Sequence, residues 1–149
     1  MYNPKQRMKL IVTVLIAASL TASASDRFAA LSQLETGDCD ACVGAAGEIS
    51  RYQITVTEWK AHTKLPQSAA TNPFTARQVA AQIQDERCVR FITIKHRQPT
   101  DVEWELLWNR PATQLGGRNP TAKEIDRANR FNNLCRVNID GAIPRRQTK

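Results

Sequence analysis

Apolar residues recur at helical spacing along most of this chain, and residues that favour helix ends stand between the apolar stretches. In the first stretch Phe28, Leu31 and Glu35 are three and four positions apart, so they share one face of a helix. Gly37 follows at a position where a glycine commonly ends a helix. The pattern predicts a helix that ends near Glu35 and carries this carboxylate on its core-facing side.

Two further helices are predicted in the middle of the chain. The segment Thr55–Glu58 is a capping box, which predicts a helix to about Lys64. Asn72–Pro73 combines an N-cap residue with a first-turn proline and predicts the longest helix. We expect this helix to break near Asp85 and to end at Pro99.

The last two helices are also marked by their first residues. A second capping box, Thr100–Glu103, begins a helix that carries the pair Trp104 and Trp108. Asn119–Pro120 repeats the N-cap and proline pattern and begins the last helix. The predicted buried face of that helix consists of Ile125, Ala128, Phe131, Leu134 and Cys135.

One short segment alternates as a strand does. Tyr52, Ile54 and Val56 alternate with polar residues, which predicts a strand over Arg51–Ile54, while residues 65–71 are predicted to be a linker. The predicted fold class is mainly α, a helical domain with one small β element.

The chain begins with the pattern of a secretory signal. Lys5, Arg7 and Lys9 precede the apolar run Leu10–Ala18, and Ala22–Ala24 supplies small residues for cleavage. This run is short for a membrane span, and an uncleaved anchor is the alternative. We therefore predict a signal peptide over residues 1–24 and a mature protein that is secreted or periplasmic.

Removal of the predicted signal peptide lowers the net charge and limits the classes of binding partner that we expect. Three of the 21 lysine and arginine residues leave with it, so the formal net charge falls from +7 to +4. A mild positive charge suits an anionic polymer such as nucleic acid or bacterial cell wall, and export argues against nucleic acid. We expect one domain over residues 25–140 and a basic flexible tail over 141–149, acting as a monomer without a membrane span.

Four cysteines lie in the exported part and are candidates for disulfide bonds. Two bridges are expected, and all three pairings stay open. The spacing of Cys39 and Cys42 is also that of a redox or metal pair, but no βαβ context is predicted around them. The other candidate ligands are scattered along the chain: Cys88, Cys135, His62 and His96. We therefore expect no metal or other cofactor, and we expect both histidines at the surface.

Glu35 carries the chemistry that the sequence predicts best. Burial on an apolar stripe and the partial negative charge of a helix C-terminus both raise the pKa of a carboxyl group. A protonated carboxyl group in a cleft can donate its proton to a leaving oxygen, as in glycoside cleavage. The alternative is an ordinary last-turn glutamate that reaches solvent or pairs with Arg51.

The order of sequence motifs from Glu35 onward resembles the order found in the lysozyme-like superfamily of goose-type lysozymes and lytic transglycosylases. In that family a Glu-Ser-Gly-like motif closes a helix and is followed by a Gly-Ala-x-Gly turn and a strand with Gln-Ile. The corresponding segments here are Glu35–Gly37, Gly44–Gly47 and Arg51–Thr55. Leu107–Asn109 is similar to a later aromatic-Asn element, and residues 128–134 resemble the final helix. The similarity spans most of residues 26–135.

The resemblance implies roles for several residues. It implies that Glu35 is the general acid, that Tyr52 and Gln53 lie on the floor of a cleft, and that Asn109 lies in its wall. Trp108, next to Asn109, is the tryptophan we expect to contact substrate. This chain departs from the family at Arg110–Pro111, where small Ala-Gly residues are usual, and at Arg127, where a cleft tyrosine is common.

A second carboxylate is expected to face Glu35. Glu48 follows the glycine-rich turn and is the first candidate, with a pairing to Arg51 as its alternative, while Asp38 and Asp40 are rivals. If none of them reaches the cleft, the resemblance favours a transglycosylase.

The predicted function is therefore cleavage of peptidoglycan by a secreted glycosidase or lytic transglycosylase. Its substrate would be the glycosidic bond between amino sugars. The alternative is a catalytically inactive, secreted protein of the same fold that binds cell-wall glycan.

Overall fold

The computed structural model describes residues 27–142, and the side chains of residues 27–137. The predicted signal peptide and residues 143–149 of the predicted tail lie outside this range. The described part forms six α-helices, which confirms the mainly α fold class. They are α1 (27–36), α2 (Val56–His62), α3 (Pro73–Lys95), α4 (Asp101–Asn109), α5 (Pro111–Gly116) and α6 (Ala122–Ala142).

Three helices begin where their capping residues predict. Thr55 Oγ1 accepts the Glu58 N–H at 3.2 Å, and Asn72 Oδ1 accepts two N–H groups of the first turn of α3 at 3.0 Å. At α4 the capping box is complete, because the Thr100 and Glu103 side chains each accept the other residue's N–H. These bonds satisfy N–H groups that have no partner inside a helix.

The structure corrects several predicted boundaries. Helix α3 is continuous through Asp85, and it ends at Lys95, four residues before Pro99, where His96 takes a left-handed φ of 55°. Residues 67–71 of the predicted linker form a 3₁₀ helix. Helix α6 begins after Thr121, because Thr121 and Glu124 form a capping box that replaces the predicted Asn119–Pro120 start. It continues to Ala142, two residues into the predicted tail.

The predicted strand over Arg51–Ile54 is wrong. Ile49 instead forms isolated antiparallel bridges with Val43 and Ile54, and the residues between are a tight turn. Gln53, inside the predicted strand, has a left-handed φ of 50°, and Ser50, just before it, has a φ of 83°; a β-strand needs negative φ values. The β element is therefore a pair of bridges that closes a loop.

The core lies where α1, α3, α4 and α6 meet. The Trp104 ring stacks on Phe131 with centroids 5.3 Å apart, and the Phe28 ring meets Trp104 edge-on at the same distance. Helix α4 packs against α3, α5 and α6, and it thereby occupies the centre of the domain. Trp104 is buried in this core.

The described helices also bear on the membrane prediction. In residues 27–142, no helix combines the length and the apolar character that crossing a bilayer requires.

Candidate active site

Glu35 lies in the last turn of α1, one residue before its end. Gly37 has a φ of 63°, and its N–H donates to Gln33 O at 3.1 Å, so the helix stops there as predicted. The Glu35 side chain is 13% exposed. The predicted alternative of a solvated glutamate does not hold, and Arg51 is engaged elsewhere.

The partner of Glu35 is Arg127 of α6. Arg127 Nη2 donates to Glu35 Oε1 at 2.5 Å, and Arg127 Nε donates to Glu105 Oε1 of α4 at 2.6 Å. A hydrogen bond also joins the side chains of Glu35 and Trp108. One guanidinium therefore joins two carboxyl groups from two other helices. We call Glu35, Glu105 and Arg127 the carboxyl–arginine cluster.

The surroundings of the carboxyl–arginine cluster favour the protonated form of its carboxyl groups. Burial raises the pKa of Glu35, Arg127 lowers it, the neighbouring Glu105 raises it and the hydrogen bond with Trp108 lowers it, with a net upward shift. Burial also raises the pKa of Glu105, against the opposing effect of Arg127. Because two carboxyl groups share one cation in a desolvated site, the pair takes up a proton more readily than either group would in water.

Glu105 was missed in the sequence predictions. Its side chain is fully buried, and Oε2 has no hydrogen-bond partner among the described residues. It lies within the apolar run Trp104–Trp108, so the reasoning that singled out Glu35 as an acid on an apolar face applies to it equally. Arg127 was noticed only as a departure from the family pattern.

Glu48 and Gln53 converge on the glycine-rich turn. A Cβ atom added at Gly44 would lie 2.4 Å from both Gln53 Oε1 and Glu48 Oε2, so a larger residue there would displace these two side chains. Glu48 Oε2 accepts the Ala46 N–H at 2.9 Å, and Gln53 Nε2 donates to Ser50 O at 3.0 Å. These bonds hold the turn together. The role of Glu48 as second carboxylate stays a prediction, as does substrate contact by Gln53.

The rival acids are engaged in the loop between α1 and α2. Arg51 donates to both carboxylate oxygens of Asp40, at 2.6 and 3.0 Å, and Asp38 accepts from the Ser32 hydroxyl. Arg51 therefore pairs with Asp40, and neither the predicted pairing with Glu35 nor the one with Glu48 forms. Thr36 Oγ1 accepts the Cys39 N–H at 3.1 Å and anchors this loop beside Glu35.

The remaining substrate-binding candidates lie at different depths. Tyr52 is buried, with its ring edge-on to Phe28 at 5.9 Å, and its predicted place on a cleft floor stays a prediction. Trp108 is 9% exposed, and its ring is covered by the Arg87 guanidinium at 5.5 Å. One face of the Trp108 ring is therefore occupied by Arg87. Asn109 is half-buried and lines a cavity that Arg127 also lines.

The structure forms one disulfide, between Cys39 and Cys42, with the Cα atoms 5.5 Å apart. The second predicted bridge is wrong, since Cys88 on α3 and Cys135 on α6 are not disulfide-bonded. Both side chains are buried in the core and serve there as small apolar groups. Burial raises the pKa of the Cys88 thiol to about 11.

The two histidines differ from each other. His96 is exposed, as predicted, but the His62 side chain is only 11% exposed and lies between Glu58 and Glu86, each 3.6 Å away. The prediction of a surface residue is therefore wrong for His62. Within residues 27–137, no group of three or more His, Cys, Asp and Glu side chains is arranged to hold a metal ion.

No protein-family model matches this chain, and no curated protein and no solved structure is significantly similar to it.

Proposed function

We propose that this protein cleaves the glycan strands of peptidoglycan with Glu35 as general acid. The observation that carries the proposal is a single side chain: a glutamate at a helix C-terminus, 13% exposed, with a pKa raised by burial. The resemblance of residues 34–55 to the lysozyme-like superfamily supplies the substrate class.

In the proposed reaction Glu35 donates its proton to the glycosidic oxygen. The C1–O bond breaks with its electron pair on that oxygen, and positive charge develops at the sugar. Glu35 becomes a carboxylate in this step. Arg127, already 2.5 Å from Glu35 Oε1, stabilises the new negative charge, so it favours the transition state over the ground state.

Glu105 acts as a positioning residue in this scheme. Glu105 is fully buried on α4, and its Oε1 atom accepts a hydrogen bond from Arg127 Nε at 2.6 Å. This bond fixes the direction of the guanidinium. A fully buried carboxyl group cannot hold a water molecule against the sugar. Because Glu48 accepts the Ala46 N–H and Asp40 pairs with Arg51, we favour the transglycosylase outcome, in which a hydroxyl of the same sugar attacks C1, closes an anhydro ring and returns its proton to Glu35.

One observation favours the second candidate, a secreted protein that binds wall glycan without cleaving it. The 2.5 Å ion pair with Arg127 favours the ionised form of Glu35, which cannot donate a proton. On this hypothesis the cluster serves only to hold α1, α4 and α6 together.

Digestion of purified peptidoglycan separates the two candidates. We expect the wild-type protein to release fragments ending in anhydro sugars, and Glu35→Gln to be slower by about 10²–10⁴-fold, the usual contribution of a general acid. Mass spectrometry distinguishes anhydro from reducing ends. Glu86→Gln, at a 63% exposed side chain of α3, is the matched control and should keep full activity.

Two outcomes would contradict the proposal. Cleavage by Glu35→Gln at the wild-type rate would remove Glu35 from the reaction. Sedimentation of the wild-type protein with peptidoglycan, without release of any fragment, would favour the binding protein.

A further inference from the structure

A cavity of about 440 Å³ opens at the start of α6, next to the carboxyl–arginine cluster. Four cations line it, together with one carboxylate and the side chain of Asn109. The cations are Arg110, Lys123, Arg127 and Arg130, and the carboxylate is Glu124. The cavity walls therefore carry more positive than negative groups.

The carboxylate in the wall is already engaged. Glu124 Oε2 accepts the Thr121 N–H at 2.7 Å as part of the α6 cap, while Oε1 lies 3.3 Å from Arg110 Nε. Glu124 thus neutralises Arg110 in part and leaves the remaining cations to other partners.

Lys123 and Arg130 carry the excess positive charge. Arg130 lies 3.4 Å from Asp126, but both side chains are more than 60% exposed, so this pair is weak in water. Lys123 is exposed on the first turn of α6. A cavity of this size with cations and an amide in its wall suits an oxyanion attached to a larger molecule.

Arg127 connects the cavity to Glu35. Its guanidinium has five N–H donors and uses Nε and Nη2 for Glu105 and Glu35, so other donors can serve an acceptor in the cavity. An anion bound there competes with Glu35 for the same positive charge.

We propose that this cavity binds a carboxylate of the wall glycan or its attached peptide, and that the bound carboxylate shares the positive charge of Arg127 with Glu35 while Arg127 stays in place. This rests on the proposed function. The groups that face Glu35 are Arg127 from α6, and Glu105 and Trp108 from α4. Arg127 then lowers the pKa of Glu35 less, while Glu105 still raises it, so Glu35 keeps its proton to higher pH. Substrate binding would then prepare the acid.

The binding step is tested without catalysis, in the Glu35→Gln protein by calorimetry. The probes are a disaccharide-peptide fragment, the same fragment with its carboxyl groups amidated, and the peptide-free disaccharide with its sugar carboxyl group exposed. We expect at least one carboxylate-bearing probe to bind about tenfold more tightly than the amidated one. Which one does so identifies peptide or sugar as the source.

Two double variants each remove two positive charges, one pair on α6 and one on α3. Lys123→Gln with Arg130→Gln on α6 should weaken the preference for the carboxylate, whereas Arg90→Gln with Lys95→Gln on α3 should preserve it. Equal affinity of the wild-type cavity for free and amidated probes would overturn the proposal. So would an undiminished preference after the loss of Lys123 and Arg130, in protein with an unchanged circular dichroism spectrum.

The link to Glu35 has a separate readout. In the wild-type protein, the alkaline limb of the pH profile for cleavage should lie at higher pH with the carboxylate-bearing fragment than with the amidated one. Identical limbs would contradict the link through Arg127. If no fragment is ever cleaved but the carboxylate preference holds, the cleavage hypothesis fails while the anion site stands.

Discussion

At the scale of single residues, Arg127 is shared by two carboxyl groups that differ in their access to solvent. Glu35 is 13% exposed and Glu105 is fully buried. A buried carboxylate with one unpartnered oxygen is costly unless a proton or a cation compensates it. Here one cation serves both groups, so the protonation of each depends on the other. Of the two carboxyl groups, only Glu35 has a side chain that reaches the surface.

Replacement of Glu105 by glutamine is expected to change the pH dependence of cleavage. Glu105 raises the pKa of Glu35, so its removal should lower that pKa and leave Arg127 more fully to Glu35. Glu35 would then lose its proton at lower pH, and the alkaline limb of kcat/KM should move to lower pH. The measurement is a pH profile on peptidoglycan fragments, with Glu86→Gln as control.

A merely structural role for Glu105 would lower the activity at every pH without moving the limb. A limb that stays in place, or moves to higher pH, would contradict the electrostatic role assigned to Glu105.

At the scale of elements, α4 positions the site. It supplies Glu105, Trp108 and Asn109, and its first turn is fixed by the Thr100–Glu103 capping box. Glu103 also pairs with Arg97 at 2.6 Å, just before the helix begins. The hydrogen bond with Arg97, together with those from Thr100, lowers the pKa of Glu103 to about 2.

Acid should weaken this helix start. Because the folded pKa of Glu103 lies below its ordinary value of 4.5, protonation favours the unfolded chain, and the stabilisation is lost as pH falls from 4.5 to about 2. Glu103→Gln removes that dependence. We expect the wild-type protein to lose about 1 kcal/mol more than Glu103→Gln over this window, the usual size of a helix cap.

Urea unfolding at pH 5 and at pH 2 measures the difference. Glu86→Gln, at an exposed residue of α3, should follow the wild type. If Glu103→Gln and the wild type lose stability in parallel, the cap does not depend on the Glu103 charge.

At the scale of the whole molecule, the core determines the state of the cysteines. Cys88 and Cys135 lie on core-facing positions of α3 and α6, while Cys39 and Cys42 lie close together in the loop after α1. The loop disulfide closes only a short segment, so its effect on the unfolded chain is small for a disulfide. Packing of the aromatic core, rather than cross-linking between helices, holds the domain together.

Counting thiols tests this arrangement. The denatured, unreduced protein should take up two equivalents of an alkylating reagent, at Cys88 and Cys135, and four after reduction. In the native state both should react slowly, because they are buried. Mass spectrometry gives the count, and Cys88→Ser should lower each value by one. No uptake before reduction would show that the second bridge exists.

Much of the helical architecture could be predicted from sequence, because the interactions that begin and end helices are local. Thr55, Asn72 and Thr100 each bond to an N–H within three positions. Where the prediction failed at the last helix, two local signals competed, and Thr121 with Glu124 prevailed over Asn119–Pro120 because it satisfies N–H groups reciprocally. The strand over Arg51–Ile54 failed because left-handed residues closed a turn instead.

The candidate site also has features that could be predicted from local sequence and features that could not. The place of Glu35 on an apolar helix face and the end of the helix at Gly37 could be predicted, since both depend on spacings of a few residues. The groups around this carboxyl group could not, because they come from other helices. Arg127 is 92 positions from Glu35 and 22 from Glu105, and the three meet because α1, α4 and α6 pack on a common core. Contacts between distant residues depend on helix packing, which no local pattern encodes.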